Sequence, residues 1–140
     1  MTNVQVAAAG EGGFKIIGEA VTDLAGTSVA AIGDLNFDGL PEVLVGASGN
    51  VAGASYVVFG KADGGQVDLG KVADGVGGFK MLGDRGDRRG DLAGSSVAAV
   101  DDLNGDLRDE ILVGAVGSEA HQELVGAVYV VFSQADWIGA

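Results

Sequence analysis

The chain states its pattern twice. GGFKIIG at residues 12–18 returns as GGFKMLG at 77–83, an offset of 65. DLAGTSVAAIGDLN at 23–36 returns as DLAGSSVAAVDDLN at 91–104, an offset of 68, and GASYVVFGKAD at 53–63 as GAVYVVFSQAD at 126–136, an offset of 73. No other feature constrains the fold as much, because a repeated supersecondary unit must find cover for the same apolar faces twice. The offset grows where loops lengthen, by three residues around 84–90 and by five within 117–125. Length variation therefore falls between the apolar segments, as it does in surface loops.

Each unit holds four short apolar segments, in the first copy residues 14–18, 27–32, 43–47 and 54–59. They are rich in Val, Ile, Phe and Tyr, are bounded by Gly, Asp or Asn, and are too short for amphipathic helices. The pattern predicts an all-β chain of eight strands, antiparallel within each unit. VLV, ILV and YVVF are continuously apolar, which marks strands covered on both faces. Two sheets packed only on each other would wet one face of each. Stacked copies of the same sheet would cover them.

Between the second and third segments lies an acidic hairpin, GDLNFDGLPEVLVGA at 33–47 and DDLNGDLRDEILVGA at 101–115. Oxygens at alternate positions of such a turn can converge on one point. In the first copy these are Asp34, Asn36, Asp38, the Leu40 carbonyl and Glu42; in the second, Asp102, Asn104, Asp106, the Arg108 carbonyl and Glu110. An oxygen-only set in a flexible loop suits a hard cation, Ca2+ before Mg2+. Polar turns also use Asp, Asn and Gly without any metal, but two loops in register, each gathering three carboxylates, favour the cation. An EF-hand is excluded, since its twelfth position needs Glu and here holds Val45 and Val113. Gly39 supplies a positive φ at the sharp turn. Leu107 stands there in the second loop, at a cost of about 1–2 kcal/mol, so the second of two Ca2+ sites is expected to be the weaker. Asp101 and Asp109 are the residues placed to compensate.

Twenty acidic against eight basic residues give a net charge of −12. That opposes binding to nucleic acid or anionic membranes, whose phosphates need Lys and Arg. No apolar run approaches the roughly 18 residues of a membrane span, and the first residues lack the basic, apolar pattern of a secretion signal. With no cysteine there is no disulfide, thiolate nucleophile or cysteine–zinc site.

These motifs resemble the FG-GAP repeat, the blade unit of the integrin α-subunit β-propeller and of many bacterial surface and secreted proteins. The resemblance covers residues 23–59 and 91–132 through a small-residue strand, a D-x-N-x-D calcium hairpin, a strand ending in Gly-Ala and a Tyr-Val strand. The family's FG is Ala25-Gly26 and Ala93-Gly94 here, and its GAP is GAS at 46–48 and GAV at 114–116. The resemblance implies two four-stranded antiparallel β-propeller blades, with the calcium loop at one rim of each. Residues 1–66 and 67–140 are then the two units, and GGFKIIG is the outer strand of a preceding blade. Two blades cannot close a ring, since rings take four to eight. Chains are expected to associate head to tail with strand exchange, as a trimer or tetramer, unless the chain is a fragment of a larger array. The implied function is a non-enzymatic extracellular or cell-surface module of a secreted bacterial protein. Its calcium would be structural, and it would engage a protein or glycan in adhesion. The alternatives are a non-catalytic accessory domain of a secreted enzyme and a purely structural self-assembling fragment.

Other motifs add little. Arg85-Gly86-Asp87 and Arg89-Gly90-Asp91 read first as a charged, glycine-rich turn, although exposed RGD can bind integrins. His121 stands alone and completes neither a triad nor a zinc site. Trp137, beyond the last repeat segment, is placed to hold the tail or to meet a neighbouring chain.

Overall fold

The computed structural model describes residues 4–49, 52–84, 90–120 and 123–138. The Arg85-Gly86-Asp87 triplet, Arg89 and His121 lie outside them. The chain order is α1 (Val4–Ala8), β1 (Ile16–Ile17), β2 (Ala25–Ile32), β3 (Glu42–Ala47), β4 (Ala54–Val58), β5 (Val67–Asp68) and α2 (Leu69–Ala73). There follow β6 (Gly78–Leu82), β7 (Ala93–Val100), β8 (Glu110–Ala115), β9 (Glu119–Ala120), β10 (Glu123–Leu124), β11 (Ala127–Val131) and a 3₁₀ turn, Ala135–Ile138.

The repeated segments form two antiparallel sheets. The first runs β2-β3-β4-β6 and the second β7-β8-β11. Their registers correspond: Ile32 faces Glu42 as Val100 faces Glu110, and a bulge lies between Ala25 and Ser28 as between Ala93 and Ser96. GGFKMLG, from the second sequence unit, completes the first sheet, pairing Phe79 with Val57 and Met81 with Ser55. The first sheet has the four strands expected of a blade and the second has three within the chain, since among the described residues nothing pairs with the outer edge of β11. The two sheets do not close a ring.

Three further features were not expected. GGFKIIG, outside both main sheets as the outer strand of a preceding blade would be, contributes only β1, which makes a two-residue parallel pair with β5. Two short helices appear. α2 forms because Asp68 caps it, accepting from the Gly70 N–H at 2.8 Å, and because Leu69 and Val72, three apart, both bury against the first sheet. The loop that is five residues longer than its counterpart contains the small hairpin β9–β10.

The first sheet is covered on both faces, as its unbroken apolar strands require. One face packs on the second sheet, where Leu44, Val57, Ile111 and Val113 share a core. Trp137 closes the outer end of that core, 4.6 Å from Phe79, so it holds the tail within its own chain. The other face carries Val45, Tyr56 and Val58 against Leu69, Val72 and the half-buried Ile16. The second sheet buries only the face turned to the first. Val128, Val130 and Phe132 on its far side are 67%, 47% and 51% exposed.

Glycine sets the approach of the two sheets. A Cβ on Gly46 would stand 2.1 Å from the Gly94 carbonyl oxygen, and one on Gly94 2.2 Å from that of Ala54. The Ser28 hydroxyl donates to the same Gly94 carbonyl at 2.8 Å. No side chain fits in this contact. Gly46→Ala should destabilise by about 1–3 kcal/mol, as overpacking does, measured by urea unfolding.

A polar cluster pins the outer end of the first sheet. Tyr56 donates to Glu19 at 2.6 Å, and Lys80 forms an ion pair with the same carboxylate. Lys80 and then Tyr56 hold the Glu19 carboxyl below its ordinary value. A depressed pKa stabilises the fold above the unfolded value, and the gain is lost as pH falls through the folded value. Glu19→Gln should therefore cost at most about 1 kcal/mol at neutral pH, given its solvent exposure. Denaturant titrations should show that deficit closing as pH falls below the ordinary carboxylate range.

Candidate metal centre

Each acidic hairpin joins the first two strands of its sheet, residues 33–41 between β2 and β3 and 101–109 between β7 and β8. The loops sit side by side. Asp109 accepts from the Gly33 N–H at 3.1 Å, and the Arg108 guanidinium lies 5.3 Å from the centre of the Phe37 ring.

Within each loop the leading aspartate ties the turn together. Asp34 accepts from the Asp38 N–H at 3.1 Å and the Gly39 N–H at 2.7 Å. Asp102 accepts from Gly105 at 2.6 Å and from Asp106 and Leu107, each at 2.9 Å. These bonds, led by that from Leu107, hold the Asp102 carboxyl below its usual range. Asp38 and Asp106 accept from the N–H two residues on, at Leu40 and Arg108, both at 2.9 Å. Asn36 and Asn104 brace the turn instead of standing apart, their amides donating to Asp38 and Asp106 at 3.2 and 3.1 Å.

Glu42 and Glu110 approach from the start of the next strand, 1% and 0% exposed. Each accepts from a backbone N–H, of Leu35 and Leu103 respectively. Burial, and secondarily the charges of Asp34 and Asp38, push the Glu42 carboxyl above its ordinary value against the opposing backbone bonds. Glu110 Oε1 is buried and has no hydrogen-bond partner among the described residues.

The structure thus brings Asp34, Asp38 and Glu42 together, and separately Asp102, Asp106 and Glu110, with one carboxylate oxygen from each residue within 4.8 Å of the others in its group. Three carboxylates so close repel one another unless protonated or shared by a cation. Carboxylates accept at two oxygens and about four lone-pair positions, so the backbone bonds leave capacity for an ion. A hard divalent cation fits this donor set, and the partnerless Glu110 oxygen and the raised Glu42 carboxyl are what such a site would show without it. Asn36 and Asn104 lie in the same turns. No geometry distinguishes the Leu40 and Arg108 carbonyls as donors.

The expected inequality of the loops loses its basis. Gly39 and Leu107 both take positive φ, 89° and 69°, as the sequence implied. However, each turn has a second left-handed position two residues earlier, filled by Phe37 at 58° and Gly105 at 82°. Each loop therefore carries one glycine and one strained residue. Asp109, expected to compensate within its own loop, instead bonds across to the first. Sequence reasoning missed both this link and Phe37, since neither has a local signature.

Leu107 is 90% exposed, so Leu107→Gly loses no packing while removing the left-handed penalty. It should raise stability by up to about 1 kcal/mol once the added freedom of the unfolded chain is counted. Differential scanning calorimetry would read this as a higher Tm.

Residues 25–69 match the FG-GAP repeat family. No curated protein matches the chain. The matched stretch begins with β2 and includes the first acidic hairpin.

Proposed function

Residues 25–69 being an FG-GAP repeat, we propose that the chain is a calcium-stabilised, non-catalytic interaction module. FG-GAP repeats are propeller-type interaction units and usually extracellular. No helix among the described residues is long and apolar enough to cross a membrane. The observation that carries the calcium reading is the pair of carboxylate triplets at equivalent hairpins.

Asp34, Asp38 and Glu42 would hold one ion, and Asp102, Asp106 and Glu110 the other, with Asn36, Asn104 and the Leu40 and Arg108 carbonyls completing the shells. The cation would be structural. It neutralises the repulsion among three carboxylates and locks the hairpin that spaces two strands. Adhesion to a protein or glycan at an extracellular or cell surface is the role we propose for the chain, and the family likeness of residues 25–69 is what supports that reading.

A ligand that binds only the folded state stabilises by mass action, about 2.7 kcal/mol at a hundredfold excess over Kd. At neutral pH, millimolar Ca2+ should raise the Tm and EDTA should reverse the rise. Asp38→Ala and Asp106→Ala should each remove a comparable part of it. An unchanged Tm in the unmutated protein would refute the calcium reading.

The pH dependence has a defined sign. With its folded pKa raised, Glu42 favours the metal-free fold at low pH, and that contribution is lost as pH rises through the raised value. Calcium requires the ionised form. Its effect on Tm should therefore be small below the ordinary carboxylate range and grow as pH rises above it, which a series of melts with and without Ca2+ would test.

A further inference from the structure

The second sheet repeats the first without one partner. Ala30, Leu44 and Val57 face the second sheet and help form the shared core. By the sequence offsets their equivalents are Ala98, Leu112 and Val130. Leu44 and Val57 are both 0% exposed, whereas Val130 is 47% exposed. The surface the first sheet buries is the surface the second leaves open.

The complementary surface is on the same chain, behind the first sheet. Val97 and Ala99 of β7 pack into the shared core. Their equivalents on β2, Val29 and Ala31, are exposed, Val29 at 66%. The glycines show the same asymmetry. Gly94, at φ 91°, meets the backbone of Ala54 and Ala47, whereas its equivalent Gly26, at 92°, has open space where a Cβ would stand. Gly46 meets the Gly94 carbonyl, whereas a Cβ on its equivalent Gly114 would meet only Ser96 of its own sheet.

β1 fixes the direction. Its Ile16 lies against the back of the first sheet, as the equivalent Met81 of β6 lies in the core behind the second. β6 is the fourth strand of the sheet in front of that core. β1 therefore sits where the fourth strand of a preceding sheet would sit, while β11 has no fourth strand beside it among the described residues. Charge agrees with this placement. Tyr56 is joined by Glu19 and by Lys80 from the fourth strand. In sequence Tyr129 and Asp84 repeat the first two, although the Tyr129 hydroxyl donates to Asp91 at 2.6 Å, and the repeat of Lys80 is Lys15, exposed beside β1.

The geometry points to a second copy of this chain as the occupant. The open face of the second sheet receives the back of the first sheet of the next chain, and residues 13–17 of that chain add to β11 as its fourth strand, Phe14 opposite Val130 as Phe79 is opposite Val57. The contact is head to tail, so it closes into a ring or propagates. It rests on apolar faces and strand pairing and stands apart from the calcium reading.

The test blocks one face at a time. Val130→Glu and Val29→Lys change exposed residues on opposite faces, with Val128→Glu as a second variant of the open face. In sedimentation at about 150 mM salt, where charge repulsion is largely screened beyond roughly 8 Å, the unmutated chain should run as an oligomer. Each variant should run as a monomer with unchanged far-UV circular dichroism. Mixed, Val130→Glu and Val29→Lys should form a 1:1 heterodimer and nothing larger, since each retains one intact face. The chain has no cysteine of its own, so mixing Phe14→Cys with Val130→Cys should give an intermolecular disulfide that Lys15→Cys with Val130→Cys does not. A folded, unmutated monomer at millimolar concentration would overturn the proposal. So would single variants that still associate, or a mixture that stays monomeric.

Discussion

Everything in this structure depends on two inner strands lying closer than side chains allow. Gly46 and Gly94 meet backbone to backbone, and Ser28 donates across the contact. With the strands at this distance, Leu44 and Val57 reach Ile111 and Val113, and one core serves two sheets. The same approach sets the two acidic hairpins beside each other, so that Asp109 can bond Gly33. Packing at the middle of the sheets thus determines the electrostatics at their rim. Non-directional apolar burial supplies the driving force, and the glycines decide how closely the surfaces come.

The hairpins concentrate charge that the rest of the fold does little to offset. The chain carries −12 overall, and six of its carboxylates stand in two groups of three. Backbone N–H groups satisfy several of the oxygens, a local solution typical of Asx turns. Glu42 and Glu110 differ from the others. They are buried at the strand edge, where a carboxylate needs either a proton or a counterion, and this burial separates the hairpins from ordinary polar turns.

Much of this was legible in the sequence. The offsets of 65, 68 and 73 residues located both main sheets, and the unbroken apolar runs predicted the double burial of β3 and β4. The carboxylate triplets followed from spacing, because a turn places alternate side chains on one side. The rest depended on contacts without a local pattern. β1 repeats the sequence of β6, yet it pairs only with the two residues of β5, a parallel contact that no repeat offset announces. α2 arises from one capping aspartate and two apolar residues in a stretch that reads as loop. Asp109 is 76 residues from Gly33, a separation that no reading of adjacent positions would connect. Trp137, ambiguous in sequence, is explained by the ring of Phe79.

The two hairpins also show one backbone path written in two ways. Phe-Asp-Gly at 37–39 and Gly-Asp-Leu at 105–107 both place left-handed residues on either side of a central aspartate. Glycine has moved from one flank to the other while the turn has kept its shape. A search pattern anchored on the later glycine recognises the first hairpin and passes over the second. Inventories built on that residue would therefore undercount such turns, whereas a criterion that accepts glycine at either flank would find both.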